Sequence, residues 1–229
     1  MDVIECIYSR RSVRKYTKAP VEWEKIGLVI EAGCHAPSSG NLQNWRFVVV
    51  TDRQKRKEIA EACLQQRWIE SAPVHIVVCA EPEKAEQFYG IRGERLYSIQ
   101  NCAAAVQNML LAAHNYGLAS CWVGAFEEEM LKRSLGIPDN IRPQAVVPLG
   151  YPAETPRPTP RAPLYDKVYP NSYGTHCKDI GHVMGYHSGK VRKVLDKGKE
   201  ILEAKHDEKV TKTYNKGKEF FKGIFKSKK

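Results

Sequence analysis

Apolar residues recur along this chain with two different periods, and the switching between them outlines the fold. Between positions 22 and 35, Trp23, Ile26, Val29, Ile30 and Gly33 fall three or four residues apart, which predicts a helix with one apolar face. A longer helix is predicted from Ser98 to Tyr116, because Cys102, Val106, Met109, Leu110 and Ala113 share a face; Ser98 reads as its N-cap and Gly117 as its stop. That stretch is apolar and alanine-rich over most of its surface, as expected for the spine of a core or of a subunit interface. Residues 2–9 and 127–135 read as shorter helices. Elsewhere the apolar runs are short and rich in β-branched or aromatic residues. Trp45–Thr51, Val74–Ala80, Leu118–Val123 and Gln144–Gly150 therefore read as strands, and Asp52 is placed to cap a helix reaching about Gln66. Helices and strands mix without the regular alternation of a doubly wound sheet, so the fold class is α+β.

The pattern breaks twice towards the C-terminus. Pro152, Pro156, Pro158, Pro160 and Pro163 make the next stretch an extended arm that cannot enter a helix interior. Beyond about Cys177 an internal repeat appears: residues 191–202 match residues 210–221 at an offset of 19, and Lys-Gly-Lys-Glu is identical in both copies. Each copy gathers its apolar residues near one helical face, so two basic amphipathic helices hinged around Lys205–Lys209 are expected. This gives two domains, residues 1–176 and an extension over residues 177–229.

Charge sharpens that division. The extension holds +8 of the net +10 of the 229-residue chain, leaving the body nearly balanced. A basic amphipathic tail with Phe220, Phe221 and Phe225 suits an anionic membrane surface, a nucleic-acid backbone, or docking back onto the protein with lysines facing water. No aromatic-plus-glycine reading module accompanies it, which counts against nucleic acid. Seven scattered cysteines, odd in number and without C-x-x-C spacing, suit reduced, mostly buried thiols better than a disulfide framework. The polar N-terminus and the absence of a membrane-spanning apolar run lead to the expectation of a cytoplasmic protein, peripheral at the membrane if its tail binds there.

Two segments carry candidate chemistry. Arg10-Arg11-Ser12-Val13-Arg14-Lys15-Tyr16 packs four cations and a hydroxyl together, the donor set a phosphate monoester needs. By itself it equally describes a solvated, charged connection. Ala36-Pro37-Ser38-Ser39-Gly40-Asn41-Leu42-Gln43-Asn44-Trp45 is a polar turn entering a strand, and Ser39, Asn41 and Gln43 offer a hydroxyl and amides suited to the edge of a heterocycle. His176, Cys177, His182 and His187 lie close in sequence, but their spacing matches no standard zinc site and the segment reads as a glycine-rich linker. His35 and His114 end apolar helices and read as structural groups, and His75 reads as preceding a buried strand.

Together with Gly-Leu-Ala-Ser-Cys-Trp-Val-Gly-Ala-Phe at 117–126, Pro-Leu-Gly-Tyr-Pro at 148–152 and Arg161-Ala162-Pro163-Leu164, these segments resemble the FMN-dependent nitroreductase-like flavoproteins, in the family's order over residues 1 to about 170. The resemblance implies a mostly antiparallel sheet flanked by helices, in an interlocked homodimer with two FMN sites at the interface. It implies that Arg10, Arg11 and Ser12 hold the FMN phosphate and ribityl chain with help from Arg161, and that Arg14 approaches the pyrimidine edge. A cation there would stabilise the negative charge that reduction places around N1 and O2. Ser39, Asn41 and Gln43 would come from the partner subunit, and the Trp122-Val123-Gly124 backbone would lie near the reactive edge, where a small Gly124 permits close approach. One departure is Asn44, where the family usually has proline; it frees a backbone dihedral without removing a flavin donor.

The implied activity is an FMN-dependent NAD(P)H oxidoreductase. NADH or NADPH would pass hydride to flavin N5 and a nitroaromatic, quinone or similar small acceptor would then take it in ping-pong order. No side chain is expected to act as acid or base. The alternative is a non-catalytic flavin- or nucleotide-binding protein whose tail recruits a membrane or partner.

Overall fold

The computed structural model describes residues 1–163 and 166–175. These divide into two units, Met1–Pro158 and a second that begins at Thr159. The predicted tail repeat and the His176, Cys177, His182 and His187 segment lie outside the described residues.

In chain order the first unit forms α1 (Val3–Ser9), α2 (Trp23–Cys34), β1 (Trp45–Val50), α3 (Arg53–Ala62), β2 (Val74–Ala80), α4 (Pro82–Arg92), α5 (Ser98–Asn115), β3 (Ala119–Ser120), α6 (Glu128–Leu135) and β4 (Arg142–Gly150). Short 3-10 turns occupy Ser39–Asn41 and Arg67–Ser71, and a π-helical turn occupies Gly93–Tyr97. The four strands lie in the order β1-β2-β4-β3, every neighbouring pair antiparallel, with a register shift at Val78/Cys79.

The sheet is apolar on both faces because helices cover both. Val74, Ile76, Val78 and Ala80 of β2, with Ala145, Val147 and Leu149 of β4, pack into one cluster with Ile26, Val29, Val106 and Met109 from α2 and α5. The intervening Val77, Cys79 and Val146 meet Ile59 of α3 and Leu131 of α6 in a second cluster. β2 is consequently buried at all seven positions, a continuous apolar run rather than an alternating one. Each fully buried Ile, Leu or Met contributes on the order of 1.5–3 kcal/mol by leaving water. α2 and α5 approach closely at Gly33, where a Cβ would lie 2.8 Å from Met109 Cγ.

Several elements differ from the sequence expectation for identifiable reasons. α3 ends at Ala62 rather than near Gln66, because Leu64 and Gln65 both turn to φ 56°. Asp52 caps it as expected, accepting from Lys55 N–H at 2.8 Å. Ser98 is not an N-cap: its backbone is helical, and its hydroxyl donates to Gly93 O across the π-turn that feeds into α5. α4, broken at Gly90 (φ 56°, ψ −152°), and that π-turn were not expected. The strand expected over Leu118–Val123 shrinks to two residues, with Val123 rejoining β4 through an isolated bridge to Val146. Five of the six described cysteines are buried, and Cys34 is exposed.

His75 lies inside β2 rather than before it, and it is fully buried. Its Nε2–H donates to Ile69 O at 2.8 Å, while Nδ1 has no partner among the described residues. Burial lowers its pKa from 6.5 to about 4, with Arg56 adding to the effect and the Ile69 bond opposing it. The unfolded chain therefore binds a proton at His75 between these values while the folded chain does not. The contribution is fully present above pH 6.5 and is lost as pH falls towards 4, a loss of about 3 kcal/mol. His75→Leu should flatten urea stability against pH across that window. Parallel decline of variant and parent would remove His75 as the cause.

Candidate functional site

The basic segment is placed by α1. That helix is capped by Asp2, whose carboxylate accepts from Ile4 N–H at 3.0 Å, and it buries only Cys6. Cys6 Sγ donates to Leu111 O of α5 at 3.3 Å, and Ser9 Oγ lies 2.8 Å from His114 Nε2. α1 thus docks on the C-terminal half of α5 and releases the chain at Arg10. The chain then runs extended beside β3: Ser12 pairs with Ser120, and Val13 N–H donates to Ser120 O at 3.2 Å. Farther on, Arg14 N–H donates to Glu154 Oε1 at 2.7 Å, and Tyr16 pairs with Pro152. The buried Tyr16 hydroxyl donates to Val13 O at 2.7 Å, closing the turn between them. Burial keeps that phenol protonated by raising its pKa well above the usual range.

Arg10 and Arg11 are half-buried and Arg14 is exposed. Arg11 Nη1 donates to the carbonyls of Tyr8 (2.6 Å) and Arg10 (2.8 Å), and the Arg14 guanidinium sits 5.7 Å from the centre of the Trp68 ring. None of the ion pairs among the described residues includes any of the three. Their charge reaches neighbouring groups. His114 is pushed down by burial and further by Arg10 and Arg11. Cys121 is pushed up by burial, against the opposing pull of Arg14, the Ser12 hydroxyl and Arg10.

Cys121 leads into the Trp122–Gly124 segment, so the structure brings the basic residues and this backbone together along β3. Val123 is buried and exchanges two 2.9 Å backbone bonds with Val146, which turns Trp122 outward to 40 % exposure. A Cβ on Gly124 would meet only the Trp122 ring, at an ordinary 3.6 Å. The chain's own packing does not require glycine there.

The amide loop lies elsewhere. Gly40, Asn41 and Gln43 all have positive φ (52°, 56° and 48°), and Gln43 Nε2 donates to Asn41 Oδ1 at 2.9 Å. Ser39 is anchored on Asn101, near the start of α5, through both its N–H (2.9 Å) and its hydroxyl (3.2 Å). Asn101 and His114 are thirteen residues apart on one helix, so the two anchor points are separated by about 20 Å. Arg161 belongs to the second unit, where its Nη1 donates to Thr159 O (3.3 Å) and Pro160 O (3.4 Å). Among the described residues no His, Cys, Asp and Glu cluster could hold a metal ion, and no helix is long and apolar enough to cross a membrane.

Sequence reasoning passed over Asn101 and underrated Asn44. Both are buried polar groups, 3 % and 0 % exposed. The available signal was an asparagine beside Cys102 on the inward face of α5.

The family model for the nitroreductase family matches residues 7–151. A protein of Archaeoglobus fulgidus named for a candidate NADH dehydrogenase/NAD(P)H nitroreductase activity is 40% identical over 157 residues, 67% of this chain and 87% of its own. FMN reductase (NADPH) of Bacillus subtilis is 26% identical over 220 residues, covering 90% of this chain and 87% of its own. Among solved structures, the NADPH:FMN oxidoreductase of Vibrio harveyi complexed with NAD+ superimposes with a TM-score of 0.69 at 29% identity, covering 83% of this chain and 85% of that one.

Proposed function

The chain belongs to the nitroreductase family and is an NAD(P)H-dependent flavin oxidoreductase, and on that premise we propose that it holds FMN between two copies of itself, each supplying half of the site. The observation that carries this is the three guanidiniums without a carboxylate partner among the described residues, set beside the Trp122–Gly124 backbone. Such a set suits a ligand that carries a phosphate at one end.

Arg10, Arg11 and Ser12 bind the phosphate and ribityl chain in this reading. Arg14, steadied over Trp68, presents fixed positive charge to the pyrimidine edge. Val123 pins the backbone on either side of it to β4, and Gly124 leaves the space that its own chain does not use. Ser39, Asn41 and Gln43 contribute from the second copy, since a separation of about 20 Å between anchor points keeps one chain's loop away from its own basic segment. Val3 (68 %), Ile4 (53 %), Ile7 (47 %) and Tyr8 (75 %) form an exposed apolar face on α1 that a second copy would cover.

FMN held by these residues would supply two-electron chemistry at N5 between NADH or NADPH and a nitroaromatic, quinone or similar small acceptor, in ping-pong order. The residues themselves bind, orient and tune, with no acid or base among them.

The purified full-length protein should be yellow, and its visible band should bleach under anaerobic NADH or NADPH. A colourless protein that takes up no added FMN would sink this reading.

A further inference from the structure

We propose that Asn44 and Asn101 are the positioning residues of the flavin loop, holding Ser39, Asn41 and Gln43 in the conformation that receives the cofactor; this rests on the assignment of that loop to FMN above. The four residues Ser39, Asn101, Asn44 and Ser98 form one directed chain of hydrogen bonds. Ser39 N–H and Oγ–H donate to Asn101 Oδ1, and Asn101 Nδ2 donates to Asn44 Oδ1 at 2.8 Å. Asn44 Nδ2 donates to Ser98 Oγ (3.0 Å) and to Glu81 O (3.1 Å), and Ser98 Oγ–H donates to Gly93 O (3.0 Å).

The direction of this relay is fixed at both ends. Ser39 N–H can only donate, so Asn101 must turn its oxygen to the loop and its amine inward. Glu81 O can only accept, so Asn44 must turn its amine there and its oxygen to Asn101. No amide can flip without setting acceptor against acceptor.

The far end is equally constrained. A Cβ on the buried Gly93 would run into the Ala85 carbonyl of α4, and one on Gly40 would run into the Tyr89 hydroxyl. Tyr89 packs edge-on against Tyr97, ring centres 5.2 Å apart. The loop therefore leans on the α4 and π-turn segment at Gly40 and is tied to it through the relay.

A loop that places Asn41 and Gln43 at positive φ needs such an anchor, since side-chain-bearing residues adopt that region only when their surroundings hold them there. Ser39 also commits its hydroxyl proton inward, which leaves the oxygen as an acceptor.

The isosteric variant Asn101→Asp isolates the relay. It keeps the acceptor for Ser39 and replaces the donor towards Asn44 with a second acceptor. Titrating full-length apoprotein with FMN by fluorescence, Asn101→Asp should weaken binding by about tenfold or more, the effect of one buried hydrogen bond broken with its partner left unsatisfied. The visible band of its bound FMN should also move towards that of free FMN. Ser98→Ala, which removes the acceptor for Asn44 Nδ2 and the donor to Gly93 O while Asn44 keeps its bond to Glu81 O, should weaken binding severalfold, and it stands in if Asn101→Asp does not fold. Ser134→Ala is the structural comparison: it removes a 2.7 Å bond to Glu58 between α6 and α3, and should lower Tm without changing FMN affinity or the band. If Asn101→Asp and Ser98→Ala lose Tm yet bind FMN with the parental affinity and spectrum, the relay is structural only and the proposal falls. A parent protein that binds no FMN would instead overturn the flavin assignment, and the proposal with it, before any variant is compared.

Discussion

Replacing Arg10 and Arg11 together by alanine is expected to lower FMN affinity by a hundredfold or more while leaving riboflavin affinity almost unchanged. A charge-assisted hydrogen bond to a phosphate contributes about 1.5–3 kcal/mol, so losing two removes two or more orders of magnitude. Riboflavin presents the same ring and ribityl chain without the phosphate, and thus separates a charge effect from a folding effect. Stability should change little, because neither guanidinium is in an ion pair among the described residues. The Arg11 bonds to the carbonyls of Tyr8 and Arg10 at the end of α1 are the main structural loss. Paired titrations of apoprotein with the two ligands provide the check. Equal weakening of FMN and riboflavin would mean that these arginines shape the loop rather than bind phosphate. The double lysine variant should recover part of the affinity as point charge, but not the bidentate geometry of arginine.

A larger effect is expected from residues that touch no flavin in the proposed arrangement. Ile4→Asp with Ile7→Asp sets two carboxylates into the exposed apolar face of α1, which Val3 and Tyr8 complete at helical spacing. Burying those charges in a subunit contact costs several kcal/mol each, enough to separate the copies. The folded core should survive, since both side chains already face water in the single chain. Flavin should be almost wholly lost, because the separated chain keeps its basic segment at one end of α5 and its amide loop at the other. Sedimentation velocity with the flavin-to-protein absorbance ratio reads both quantities. A monomer retaining full flavin would show that one chain completes the site, and a flavin-loaded dimer would place the contact elsewhere than on α1.

What could be read from the sequence tracks where local physics decides structure. The face of α5 and the β2 run are set by burial, which writes a period directly into the residues, and both appear within a residue of their expected bounds. The Asp52 cap is equally local. The π-turn at Gly93–Tyr97 was not legible, because it depends on the Gly93 backbone fitting against Ala85, a contact that no periodicity encodes. Ser98 misled for the same reason: as an isolated residue it reads as a helix start, and only the preceding turn makes it a donor to Gly93. At the candidate site, the basic and amide segments were visible by composition. Their placement at opposite ends of α5 was not, since it follows from α1 docking near His114 and Ser39 docking on Asn101.

The length of α5 has a genetic corollary. In the proposed two-copy site, a chain lacking Arg10 and Arg11 and a chain lacking its loop anchor would each load FMN poorly alone, since every site in either homodimer would carry the same defect. Mixed together, the two can form a hybrid in which one of the two clefts draws both of its halves from unaltered sequence. Such a pair would complement each other, restoring up to half the flavin content of the parent in the hybrid, while the second cleft collects both defects.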